Sequence, residues 1–204
     1  MKISQVTVVY DEDISQCRRA IENLRPVCDD LIIICHKGAP QWVRDYLKSE
    51  ARSYLEIDLD EFDSPEQTKN LGIRKVKHLW VFVLDPDEFV TKEVVDEIAS
   101  LRSDCPYNYF VIDRVNIKYW ENETLEFKER FPDPQIRFFK RNYRREGKVH
   151  CIPNVSGPVR RFSGFMVHDW LTGLKVDITR RWKLYEKLRQ EELARVAVTL
   201  EELG

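Results

Sequence analysis

Leu79-Trp80-Val81-Phe82-Val83-Leu84-Asp85-Pro86-Asp87-Glu88-Phe89-Val90-Thr91 carries six apolar residues in succession, then three carboxylates within four positions. An apolar run rich in valine and aromatics reads as a strand buried on both faces. Pro86 has no N–H and biases Asp85 towards extended backbone, which suits a strand leaving its sheet. If that geometry persists, Asp85 and Asp87 present their side chains to the same side. Thr91 then caps a helix with Val94, Val95, Ile98 and Leu101 at its apolar positions. Ligands of open α/β sheets bind outside the carboxyl ends of the strands. Paired carboxylates there suit Mg²⁺ or Mn²⁺, an ion that commonly bridges to a diphosphate. The plain alternative is a polar strand end followed by a solvated helix start.

Upstream, the pattern alternates strand and helix. Ile3 to Tyr10 is β-branched and apolar, a first strand ending in Asp11-Glu12-Asp13. Ile14, Cys17, Ile21 and Leu24 share one helical face, and Pro26 ends that helix. Leu31 to Cys35 is a short apolar strand leading into the loop His36-Lys37-Gly38-Ala39-Pro40. Trp42, Tyr46 and Leu47 suggest a helix, and Tyr54 to Ile57 a weaker strand. Ser64-Pro65-Glu66-Gln67 is a helix start, with Ser as N-cap and Gln three residues on. That helix carries Lys69-Asn70-Leu71-Gly72 into the opening strand. Such a β-α-β-α-β-α-β rhythm predicts a parallel sheet with right-handed crossovers. Asp11 and Glu12, His36 and Lys37, and Asp85 and Asp87 then converge on one sheet edge. Lys69 and Asn70 approach it from their helix, a mixture of cations and hydrogen-bonding groups that suits a nucleotide diphosphate.

Length and charge narrow the class. A chain of 204 residues fits one domain or two unequal lobes, and a net charge of −2 gives no global field for nucleic acid. The five cysteines form no C-x-x-C pair or zinc spacing, which predicts a reduced intracellular protein. With no leader pattern and no apolar run of the ~20 residues needed to span a bilayer, a soluble, cytoplasmic protein is the expectation.

From Pro106 the pattern turns β-rich. Tyr107 to Trp120, Gln135 to Lys140, Lys148 to Ile152 and Arg161 to Val167 read as strands, and Glu121 to Pro134 as a mobile loop. Arg137 in a strand would enter the cleft while Phe138 faces the core, binding phosphate or positioning an acceptor. His150 and His168 end β-like segments. His168 is a candidate third metal ligand or diphosphate contact, against a purely structural histidine. In the segment from Lys175, Ile178, Trp182, Tyr185 and Leu188 form an apolar helical seam with basic flanks. It reads as a helix packed on the domain, a homodimer contact, or a peripheral contact with an anionic membrane.

Taken together, Tyr10-Asp11-Glu12, Lys69-Asn70-Leu71-Gly72, Leu84-Asp85-Pro86-Asp87-Glu88, Gln135-Ile136-Arg137-Phe138-Phe139 and Val149-His150-Cys151 resemble the motifs of glycosyltransferase family 2. The likeness covers about residues 1 to 170 and is to small members: those building lipopolysaccharide cores and minimal enzymes of archaea and their viruses. It implies an α/β GT-A (nucleotide-diphospho-sugar transferase) fold, with a Rossmann-like, mostly parallel central sheet flanked by helices and a β-rich acceptor half. Residues 1–105 would form the nucleotide-sugar-binding half, 106–174 the acceptor half and 175–204 a basic helix and tail. The chain departs from the family pattern twice. Cys35 to Pro40 lacks the carboxylate that helps hold the base, leaving backbone groups or Asp58 for that task, and Cys151 replaces a Glu.

The resemblance implies metal-dependent, inverting transfer of a sugar from a nucleotide-diphosphate donor to a glycan, lipid-linked or protein acceptor. Tyr10, Asp11, Lys69, Asn70, Asp85 and Arg137 would bind the donor. Asp85, Asp87 and His168 would hold Mn²⁺ or Mg²⁺, with Asp87 the direct ligand and Asp85 the ribose or water-mediated partner. Asp169 and Asp113 are the candidates for general base, and Glu88 is a helix-start residue or a base. Two alternatives stand beside this reading: a haloacid-dehalogenase-type phosphatase, whose strand also ends in D-x-D, and a non-catalytic GT-A binding module. No G-x-G-x-x-G, G-K-[ST], G-x-S-x-G or H-E-x-x-H sequence is present.

Overall fold

A computed structural model describes residues 1–10, 12–58, 65–120, 123–127, 131–145 and 153–169, with 65, 66, 117–120 and 123–127 described by backbone course alone. The first strand, β1 (Ile3–Val9), is buried along its whole length. Its polar residues are satisfied within the core: the Gln5 amide donates to Thr7 Oγ1 at 3.1 Å and to the Ala20 carbonyl at 3.2 Å. Helix α1 (Ile14–Leu24) starts at a capping box, Asp13 accepting from Ser15 N and Gln16 reaching back to Asp13 N. Then follow β2 (Asp30–His36), α2 (Gln41–Glu50), β3 (Ser53–Ile57), α3 (Pro65–Lys75) and β4 (Trp80–Val83). β2 lies parallel to β1 and to β3, and β4 lies parallel to β1. This parallel half is the one the alternating pattern predicts.

The second half joins the same sheet. After β5 (Glu88–Val90) and α4 (Lys92–Ser100) come β6 (Tyr109–Trp120), β7 (Glu123–Phe127), β8 (Asp133–Lys140) and β9 (Val159–Asp169). The strand order is β3-β2-β1-β4-β8-β6-β9-β5, with β7 paired to β6 off that path. β8 runs antiparallel to β4, so one continuous sheet carries both halves. The fold is therefore α/β, with one mixed sheet whose first half is parallel. Trp80, Phe82, Phe110, Phe138 and Phe162 fill the core beneath α1 and α4, where Trp80 stacks on Phe138 at 4.8 Å and Phe110 on Phe162 at 4.7 Å. Val6, Ile32, Val81, Val83 and Phe139 fill the opposite face with Ile73 of α3.

Several local expectations change. The carboxylates do not lead straight into a helix, because Glu88 to Val90 form β5, antiparallel to β9. Thr91 occupies the N-cap position of α4 but makes no side-chain cap, its Oγ1 instead accepting the Phe165 N–H at 3.4 Å. Glu123 to Phe127, expected within a mobile loop, pair antiparallel with β6, consistent with their Thr, Leu and Phe content. The proposed Ser64 cap, the Lys148–Ile152 strand from 148 to 152, and the whole C-terminal seam lie outside the described residues. No helix among the described residues is long and apolar enough to cross a membrane. The four cysteines among the described residues are free.

At the amino end of the sheet, Asp30 accepts from Ser4 Oγ at 2.8 Å, from Lys77 N at 3.3 Å and from the Arg52 guanidinium. Burial favours the neutral acid, but these donors together hold the Asp30 carboxyl below the usual range. Over the middle of β1, at Val6, α3 comes unusually close to the sheet. A Cβ at Gly72 would sit 2.4 Å from Val6 Cγ1 and 3.2 Å from Ile34 Cδ1. Only glycine lets the helix that carries Lys69 and Asn70 lie that low. Gly72→Ala should therefore lower stability by about 1–3 kcal/mol, the usual cost of overpacking a full core. Urea denaturation measures this, and a variant as stable as the parent would contradict the close approach.

Candidate functional site

The carboxyl end of β4, the amino end of β5 and the carboxyl end of β9 converge on a charged cluster. Beyond β4 the chain turns at once: Glu88 N donates to the Asp85 carbonyl at 3.0 Å, and Asp85 N to Glu88 Oε2 at 3.1 Å. Extended geometry does not persist through Pro86, so the two aspartates diverge, a correction to the expectation of a shared side. Asp85 turns towards Lys69 Nζ at 2.9 Å and Arg137 Nη2 at 3.1 Å. Asp87 instead turns to His168, whose Nε2 lies 3.2 Å from its Oδ2. The two carboxylates are thus engaged by different partners.

Arg137 reaches Asp85 because of a bulge. Along β8 the register passes from Phe138 opposite Phe110 to Ile136 opposite Val111, leaving Arg137 as the extra residue. Phe138 packs beneath α1 and α4 while Ile136 packs on the α3 side, so the bulge switches the strand's alternation. Its guanidinium, 3% exposed, also bonds Glu88 Oε1 at 2.5 Å. Glu88 is itself 1% exposed and has Arg114 Nη1 at 3.4 Å. Arg114 Nε in turn donates to Asp133 Oδ2 at 2.8 Å. Glu88 is therefore neither helix-start residue nor exposed base but a buried counter-ion.

These contacts set the charges. Burial alone would raise the Asp85 pKa. The Lys69 and Arg137 charges, with Arg145 behind them, outweigh it and hold the carboxyl well below the carboxylate range. His168 is the converse case. Burial opposes its charged form, but the Asp87 hydrogen bond and charge, and Glu88 beyond, hold its pKa above the ordinary histidine value. His168 Nδ1 lies 2.8 Å from Asn116 Oδ1, which fixes the ring plane.

The remaining predicted residues divide. Tyr10 packs with Leu71 of α3 beyond β1, and its N–H donates to Glu12 Oε2 at 2.7 Å. The Asn70 amide pairs with the backbone of Arg145, donating at 2.7 Å and accepting at 2.9 Å. Asp58 at the end of β3 lies 3.6 Å from Lys37 Nζ and 4.0 Å from His36 Nε2. Asp11, His150 and Cys151 lie outside the described residues. Neither candidate base joins the cluster. Asp113 is held by Arg161 at 2.5 and 2.6 Å, and Asp169 by Arg19 at 2.7 Å. Asp169 adjoins His168 in sequence, but in a strand that adjacency puts the two side chains on opposite faces. Sequence reasoning missed Arg114, Asn116, Asp133 and Arg145. Arg114 and Asn116 carry a usable signal, two polar residues at period two in an apolar strand.

No protein-family model and no curated protein matches the chain. Among solved structures, S. aureus TarS is similar with a TM-score of 0.49 at 11% identity, over 69% of this chain and 28% of that one. S. aureus TarS 1–349 in complex with UDP has a TM-score of 0.47 at 12% identity, over 69% and 47%. The same protein in complex with UDP-GlcNAc has a TM-score of 0.41 at 15% identity, over 63% and 39%. The chain thus spans less than half the length of each of these proteins.

Removing one partner of a buried ion pair leaves the other charge stranded. Glu88→Ala should cost about 3–5 kcal/mol in urea unfolding. Asp96→Ala, which breaks an exposed Lys92 pair on α4, should leave the transition where it was. Equal effects from both would contradict the burial of Glu88.

Proposed function

We propose that the protein is a glycosyltransferase that takes a sugar from a nucleotide-diphosphate donor. The observation that carries this reading is the convergence of Lys69 and Arg137 on Asp85 beyond the carboxyl end of β4, where the charge of Arg145 adds to theirs in lowering the Asp85 pKa. Cations held there by buried carboxylates are preorganised for phosphate oxygens, and they stabilise the charge that develops as a diphosphate departs. Asp85 and Glu88 orient the cations. Lys69 and Arg137 donate to the leaving group. Tyr10 and Asp58, at the ends of β1 and β3, border the space for ribose and base, where Asp58 supplies the carboxylate that the Cys35 to Pro40 loop lacks.

Asp87 and His168 offer a carboxylate oxygen and an imidazole nitrogen, a donor set that Mn²⁺ accepts more readily than Mg²⁺. Among the described residues no group of three such side chains forms. The ion would therefore be held by this pair and completed by donor oxygens. When bound, it supplies Lewis-acid stabilisation of the diphosphate. Single displacement with inversion, on a glycan, lipid-linked or protein hydroxyl, is the course the family resemblance implies.

A thermal-shift screen of UDP, GDP, CDP and ADP with and without Mn²⁺ tests the reading. At 100 times Kd a ligand of the folded state adds about 2.7 kcal/mol, roughly 5–10 °C for a chain of this size. One nucleotide should give that shift, EDTA should reduce it, and Asp87→Ala should remove the metal-dependent part. No shift with any nucleotide overturns the donor site. A shift indifferent to EDTA and to Asp87→Ala overturns the metal assignment alone.

A further inference from the structure

Asn70 follows Lys69 in α3, and successive helical residues point about 100° apart. Lys69 faces Asp85, while Asn70 faces the segment after β8. Its amide makes a reciprocal pair with the Arg145 backbone, Nδ2 to the carbonyl at 2.7 Å and Oδ1 from the N–H at 2.9 Å. That is the double hydrogen bond a neighbouring strand would supply, delivered here by a side chain. Residue 145 otherwise makes an isolated bridge with Pro153, and Asn154 N donates to the Arg144 carbonyl at 2.7 Å. Arg145 is buried, 7% exposed, close enough to the cluster for its charge to help lower the Asp85 pKa. Lys69 and Arg137 touch Asp85, and Arg137 also touches Glu88, so the cluster holds cations beside carboxylates in fixed places, an arrangement that suits a polyanionic ligand.

We propose that Asn70 is a positioning residue: by pairing with the Arg145 backbone it delivers the Arg145 guanidinium to the donor diphosphate beside Lys69 and Arg137. This rests on the donor-site reading above. It gives the two neighbours on α3 separate tasks, Lys69 as a phosphate ligand and Asn70 as the strut of another. Because both ride on one helix, whose height above the sheet is set at Gly72, the three cations keep a fixed spacing.

Isothermal titration of the full chain with UDP, GDP, CDP and ADP identifies the nucleotide bound, and Arg145→Gln, Asn70→Ala and the double variant are titrated with it. Each single variant should lose roughly 10- to 100-fold in affinity for the diphosphate, the range for one charge-assisted contact. Binding of the matching nucleoside, followed by saturation-transfer NMR, should not change. The double variant should lose no more than the weaker-binding single variant, because the two residues act as a unit. Wild-type affinity in Arg145→Gln, or losses that multiply in the double variant, overturns the proposal while leaving the donor site standing. Should Asn70→Ala fail to fold, Asn70→Asp, which keeps only the acceptor half of the pair, takes its place, and full affinity in that variant overturns the positioning role. Failure of the unsubstituted chain to bind any of the four nucleotides overturns the donor-site reading and this proposal with it.

Discussion

The Arg137 guanidinium fills the space between Asp85 and Glu88, and the carboxyl edge of the sheet depends on it. Taking three charges this far out of water costs several kcal/mol per ion, returned only when each finds close opposite charge and hydrogen bonds. Such a cluster is a poor source of stability and a good source of rigidity. It ties β4, β5 and β8 together at one point, through a residue that regular alternation would have turned elsewhere. The bulge on β8 is thus the local irregularity from which the rest of the site follows.

The same point explains why Asp85 and Asp87 divide their tasks. The turn from Asp85 to Glu88 is closed in both directions by hydrogen bonds, and the Asp87 carbonyl accepts the Asp169 N–H at 2.7 Å. β5, only three residues long, is braced from its other side by Asn23 of α1, which donates to the Val90 carbonyl at 2.9 Å and accepts its N–H at 2.8 Å. Arg19 of α1 pairs with Asp169 and lies over the Phe89 ring at 4.7 Å. Asn23 and Asn70 do the same job in two places: each bonds both the backbone N–H and the carbonyl of one residue, Val90 and Arg145, with a side-chain amide. Asp169, set beside His168 in the sequence, belongs to this bracing.

The parallel half was legible because its signals are local and strong. Runs such as Leu31 to Cys35 between helical periodicities leave little choice of topology, and Pro65 and Pro26 mark helix limits. The pairing of β4 with β8 and of β5 with β9 was not legible, since nothing in a three-residue strand announces a partner about 80 residues away. Within the site, Lys69, Asp85, Asp87, Arg137 and His168 were singled out by residue type and place in a motif. Their partners were not. Glu88 reads in sequence like a helix-start carboxylate, and only the turn at Pro86 sends it inward. Arg145 has one more arginine before it and a lysine after it at Lys148, so composition alone makes it a surface residue. Its backbone is held by the Asn70 pair, a contact between positions 75 apart.

If the charged edge is a donor site that performs transfer, the chain should release nucleoside diphosphate from a nucleotide sugar. The most direct measurement is a panel of UDP-, GDP-, CDP- and ADP-sugars incubated with the purified chain and Mn²⁺, with released diphosphate quantified by chromatography. Release from one base class, abolished in Arg137→Met while that variant remains folded, is the predicted result. No release from any sugar nucleotide, or release unaffected by Arg137→Met, would contradict the account.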